Sequence, residues 1–240
     1  MDAYLSRYPS KLWWIDNSTH DLKHLLLFLH GGIKHLTVPC LQDQGKLLSG
    51  ICARSLNLHT LFPYIPRSVN ITSHARVIAQ NLHHLRKLVL PEFYYTAVTQ
   101  ELSHMKNLST IEFEYCLSVG TGHSMNIDSF NPVLTEGSFP ALCDLSLTAG
   151  IDDAERFFRD KFAPVNVTDL YLNSYKKHTP SEVHSLLLAL SQVCQRLTQL
   201  HIVLLEKESN LSELPSDEQI SFDTPARLLV FPSDMVRNPP

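Results

Sequence analysis

The chain has 240 residues, 44% hydrophobic and 18% charged, a balance that supplies a sizeable core and excludes an intrinsically disordered chain. The formal net charge of −4 hides an asymmetry: residues 1–110 carry 11 Lys/Arg and 6 Asp/Glu (+5), whereas 111–240 carry 9 and 18 (−9), which argues against a uniform nucleic-acid footprint. No apolar run reaches the ~18–20 residues of a membrane span, and Cys40, Cys52, Cys116, Cys143 and Cys194, odd in number and without a C-x-x-C pair, suggest neither a disulfide framework nor a zinc site.

In chain order, the opening MDAYLSRYPSKLWW has no apolar stretch before a small-residue cleavage site, so a cytoplasmic or nuclear chain is expected. The N-x-S/T sequons at Asn17, Asn70, Asn107, Asn166 and Asn210 are accordingly read as unused. L-W-W-I at Trp13 and Trp14 reads as the end of an incomplete first unit, packed on the helix after it. Ser18 with Asp21 opens a helix through His30, with Gly31-Gly32 as its C-cap.

From there the spacing L-x-x-L-x-L recurs: Ile33, Leu36, Val38; Leu58, Leu61, with Pro63 in the last place; Leu85, Leu88, Leu90; Leu108, Ile111, Phe113, extended to Cys116; Leu142, Leu145, Leu147; Val167, Leu170, Leu172; Leu197, Leu200, Ile202. The central positions 36, 61, 88, 111, 145, 170 and 200 are 25, 27, 23, 34, 25 and 30 residues apart, close to the ~20–29 of leucine-rich repeats. Each copy alternates with period two, as a short strand does. Between copies the period becomes helical: Tyr95–Met105, Asp152–Phe162, and Val183–Arg196 behind the capping box Thr179-Pro180-Ser181-Glu182. The expected fold is α/β: a leucine-rich-repeat solenoid, a right-handed arc with short parallel strands inside and helices outside. Residues 1–205 form the repeat domain, with an insertion at 117–137, and 206–240 a polar loop and an incomplete, poorly ordered last repeat, since Phe231-Pro232 takes the phase of Phe139-Pro140 and Asp234 stands where Leu142 would.

The segments HLTVPCLQDQ (35–44), LRKLVLPEFYYTAV (85–98), SFPALCDLSL (138–147), DDAERFFRDKFAPVNVTDLYLNSY (152–175) and TPSEVHSLLLALSQVCQRLTQLHIVLL (179–205) resemble the leucine-rich-repeat portion of fungal F-box proteins, over roughly residues 20–232. In that family an F-box docks on the Skp1 arm of a cullin-type ubiquitin ligase and the repeats select the protein to be ubiquitylated. MDAYLSRYPSKLWWIDNSTH lacks the leucine-proline signature of an F-box. The resemblance therefore implies the recognition half, a non-catalytic module for a protein partner, and Skp1 docking only through an element elsewhere. A free-standing scaffold is an alternative.

A second alternative is an α/β-hydrolase-type esterase, with LFLHGG (27–32) as an oxyanion loop and Ser124 in GHSMN (122–126) as nucleophile. Asn126 replaces the elbow's closing glycine, and no apolar strand precedes Gly122. His20 and His24, one helical turn apart, lack an identifiable third ligand. No catalytic, cofactor or metal residue is therefore assigned, and neither nucleic acid nor membrane is expected as a partner. The partner surface is expected on the strand residues that point away from the leucines: His35, Thr37, Lys87, Val89, Thr110, Glu112, Glu114, Asp144, Ser146, Asp169, Tyr171, Gln199 and His201.

Overall fold

A computed structural model describes residues 10–13, 25, 27–38, 44–63, 71–91, 95–114, 130–205 and 227–232. The strands are β1 Lys11–Trp13, β2 His35–Val38, β3 Thr60–Pro63, β4 Lys87–Pro91, β5 Thr110–Glu114, β6 Asp144–Thr148, β7 Asp169–Lys177, β8 Gln199–Leu205 and β9 Arg227–Pro232. They make one sheet, every neighbouring pair parallel, in chain order from β1 to β9. Between them lie helices α1 Gln44–Arg54, α2 Ile71–Asn81, α3 Tyr95–Leu102, α4 Ile151–Arg159 and α5 Pro180–Val193. The class is α/β with a single parallel sheet.

The register explains the periodicity. Leu12, Leu36, Leu61, Leu88, Ile111, Leu145, Leu170, Leu200 and Leu228 are successive cross-strand partners, so the central leucines form one row across the sheet. Those from 36 to 200 are buried, in one core with Ile51, Ile78, Leu102, Phe158 and Leu190 of the helices. Burying such a row against helices is the main drive for the fold, at roughly 25 cal/mol per Å² removed from water. Helices cover that face, and the residues alternating with the leucines, such as His35, Thr37, Asp144 and Ser146, stay only half-buried.

Each unit enters its strand in the same way. The residue before a strand accepts two amides of the next unit: Lys34 and His35 donate to Ser10 O, His59 and Thr60 to Lys34 O, Arg86 and Lys87 to His59 O, and so on to Thr198 and Gln199 on Thr168 O, all at 2.7–3.0 Å. Side chains brace the same seam. The amides of Asn57, Asn107 and Asn166 donate to Gly31 O, His83 O and Pro140 O of the unit before, and the hydroxyls of Ser109, Thr168 and Thr198 to Arg86 O, Cys143 O and Thr168 O.

Several expectations change. Phe231-Pro232 do not open a unit: they end β9, which is in register with β8. Trp13 is 69% exposed, because its partner is Thr37 and its neighbour Leu12 takes the core side. Within the insertion, Phe130 and Leu134 are buried, Phe130 with its ring 5.2 Å from Phe157. This segment passes through Gly137 (φ 79°) into Phe139, held at φ 51°, a conformation costly for a bulky residue that here places the ring in the core. Gly31 does not adopt left-handed backbone, so the turn after His30 closes without the glycine cap. The capping box at Thr179–Glu182 is formed as read.

β7 runs on past the end of β6 beside β8, with its pairing irregular between Asn173 and Lys177. Lys176 reaches back to the first turn of α4, its Nζ 2.9 Å from the fully buried Asp153, whose other oxygen is 2.7 Å from Arg156. Gly150 precedes that helix because a Cβ there would strike Asp152 Oδ1 and Lys176 Cδ.

Candidate functional site

The face away from the helices carries two rows. The first runs Lys11, His35, Thr60, Lys87, Thr110, Asp144, Asp169 and Gln199 as unbroken cross-strand partners. The second contains Trp13, Thr37 and Phe62, then Val89 beside Glu112, then Ser146, Tyr171 and His201. The strand alternation thus brings the expected residues onto one surface. Among them His35 Nδ1 and Thr60 Oγ1 are 3.0 Å apart, and the Tyr171 and His201 rings are 6.4 Å apart, tilted at 39°.

One expected residue is largely covered. Val89 is only 7% exposed: the short side chain sits between Lys87 on its own strand and its cross-strand partner Glu112, which are ion-paired with each other. Glu114 is in register with Pro91, but its side chain lies outside the described residues. The acidic strip is also less uniform than expected, because Lys87 Nζ is 2.5 Å from Glu112 Oε1. The part that carries no ion pair among the described residues is Asp144 and Asp169, direct cross-strand partners. Asp169 accepts the Thr168 hydroxyl at 2.6 Å. Burial, then Glu112, then Asp169 push the Asp144 carboxyl above the ordinary carboxylate range, against an opposing pull from Lys87.

Sequence reasoning missed Thr60 and Phe62, because Pro63 made that copy look truncated; extending the alternation through His59-Thr60-Leu61-Phe62 would have found both. It also missed a basic group on the rim. Lys34, His59 and Arg86 are the seam residues of three successive units, and His59 is held below the usual imidazole value by burial, then by Arg86, Lys34, His35 and His84. Among the described residues no carboxylate is ion-paired with any of the three.

Ser124 and the rest of the GHSMN stretch, His20 and His24, and Cys116 lie outside the described residues. In the supposed oxyanion loop, Gly32 N–H donates to His30 Nδ1 at 3.1 Å and Gly31 O accepts from Asn57, so both groups are engaged within the fold. Among the described residues no three His, Cys, Asp or Glu side chains are grouped to hold a metal, and no helix is long and apolar enough to cross a membrane. Burial pushes the thiols of Cys52 and Cys194 up to about 11 and about 12, which leaves them unreactive at neutral pH. No protein-family model matches the chain, and no curated protein does.

Proposed function

We propose that this chain is a leucine-rich-repeat solenoid acting as a non-catalytic recognition module, its open sheet face binding a protein partner in the manner of the substrate-selecting repeats it resembles. The observation that carries the reading is the division of labour across the sheet: leucines in one buried row on one side, chemically varied half-buried residues in two rows on the other. The first set specifies the fold whatever stands in the second, which leaves the second free for recognition. The partner is a protein, such as one delivered for ubiquitylation. A covered α/β enzyme with a pocket at a reversal of strand order is disfavoured, because the strands follow chain order throughout.

The test is affinity capture from the source cell with the full chain, wild type against Ser146→Arg, which plants a long side chain in the middle of the face. Proteins captured by the wild type and lost by the variant are expected. Skp1 among the captured proteins marks a ligase adaptor, and other partners without it mark a scaffold. Partners held equally by both forms would move the binding surface elsewhere, and ester hydrolysis abolished by Ser124→Ala would overturn the non-catalytic assignment.

A further inference from the structure

The open face and its rim carry two charged groups of opposite sign, each built from residues of successive strand units. Lys34, His59 and Arg86 follow one another along the rim, joined by His59 N–H to Lys34 O and Arg86 N–H to His59 O, both 2.8 Å. Asp144 and Asp169 face each other on β6 and β7. Like charges placed directly across neighbouring strands repel and destabilise the pairing. Asp144 and Asp169 meet in this way, whereas Lys34 and Arg86 stand two units apart on either side of His59, whose imidazole is held below its usual value; among the described residues no ion pair joins either group to the other or to a third.

Geometry keeps them apart. From β3, the middle of the basic group, to the gap between β6 and β7 is three and a half strand intervals of ~4.8 Å, or about 17 Å. An extended chain covers that in about five residues at ~3.3 Å each. The stretch between is lined by the half-buried Phe62 and by the Lys87–Glu112 pair, already neutral.

Taking the open face as the partner surface, the reading on which this inference rests, we propose that it selects an extended protein segment of mixed charge: an Asp or Glu seated against Lys34, His59 and Arg86, and a Lys or Arg about five residues away seated between Asp144 and Asp169. Such a segment offsets both charges at once. A uniformly basic segment would satisfy the acidic group and be repelled by the basic one, so the pair of groups sets specificity by repulsion as well as attraction.

Random peptide display against the full chain tests this, with retained peptides measured again on Ser146→Arg, Arg86→Glu and Asp169→Lys, each checked for the wild-type circular dichroism and a cooperative melt. Retained peptides are expected to lose binding to Ser146→Arg and to carry an acidic and a basic residue about five positions apart. They should weaken about tenfold on either charge reversal, as truncating close interfacial charge pairs does. On the Arg86→Glu, Asp169→Lys double variant, peptides with the two charges exchanged should regain affinity. Peptides that depend on Ser146 yet carry no such pair and ignore both reversals overturn this inference and leave the face as partner surface. Peptides indifferent to Ser146→Arg, or none retained, count against both.

Discussion

Asp144 is the residue where fold and recognition pull in opposite directions. Its folded-state pKa is raised by burial and by two neighbouring carboxylates, so ionising it costs the folded state more than the unfolded one. That penalty is absent below the unfolded pKa, where both states are protonated, and grows as pH rises through the carboxylate range. Asp144→Asn is therefore expected to melt above the wild type at pH 7, with the difference shrinking to nothing as the pH falls to about 3, below the ordinary Asp pKa of ~3.9. An equal or lower melting temperature at pH 7 would show that the carboxylate is compensated. A stability gain accompanied by weaker binding of a mixed-charge segment would mark the acid as retained for recognition.

The sequons belong to the same scale. Asn107 and Asn166 were legible only as glycosylation acceptors judged unused. In the fold their amide nitrogens, and the hydroxyls of Ser109 and Thr168, tie consecutive units together, so the N-x-S/T pattern at these places is a packing motif. Asn107→Ala and Asn166→Ala should each cost about 1 kcal/mol, the net worth of one such hydrogen bond, read as a melting point lower by about 2–4 °C. The basic rim group stayed illegible for a related reason: Lys34, His59 and Arg86 are 25 and 27 residues apart and become neighbours only through the register.

Among the elements, the strands that could be read from sequence were those with a leading apolar residue and two alternating ones behind it. β9 escaped because Pro225 stands where that leading leucine would, and only the in-register pairing of Leu228 with Leu200 restores its phase. Helix α4 was legible from Ala154, Phe157 and Phe158, but the same pattern treats Asp153 as solvent-facing. The fold buries it completely, because Arg156 and Lys176 from the overrun of β7 both reach it; a partner 23 residues away is invisible to any local period. Arg156 and Lys176 are half exposed and turn to water once Asp153 is gone, so Asp153→Ala should lose about 2–3 kcal/mol in urea unfolding, the worth of its charge-assisted hydrogen bonds. Glu155→Ala, two residues on in the more open pair with Arg159, should stay within about 1 kcal/mol of wild type. Similar losses in both would mean that Asp153 is solvated in solution.

Across the whole molecule, strand order equals chain order, so every strand touches the strand one unit away, 23–34 residues along the chain where the copies could be counted. Contacts of such short separation favour formation by addition of units to a nucleus rather than by closure of long loops. The paired amides on each seam carbonyl also have a direction: they lie along the axis of stacking, and the ladder from Ser10 to Gln199 is a single file of them. A pull applied between β1 and β9 loads that file in series, one seam at a time, as opening a zip loads one tooth. In single-molecule stretching the chain should therefore lengthen in separate steps of about 25 residues, or roughly 85 Å at ~3.5 Å per residue, at low force, instead of rupturing once. The seam that holds the units in register is thus also the line along which a cellular unfoldase gripping one end could take the molecule apart, unit by unit, without meeting the whole of its core at once.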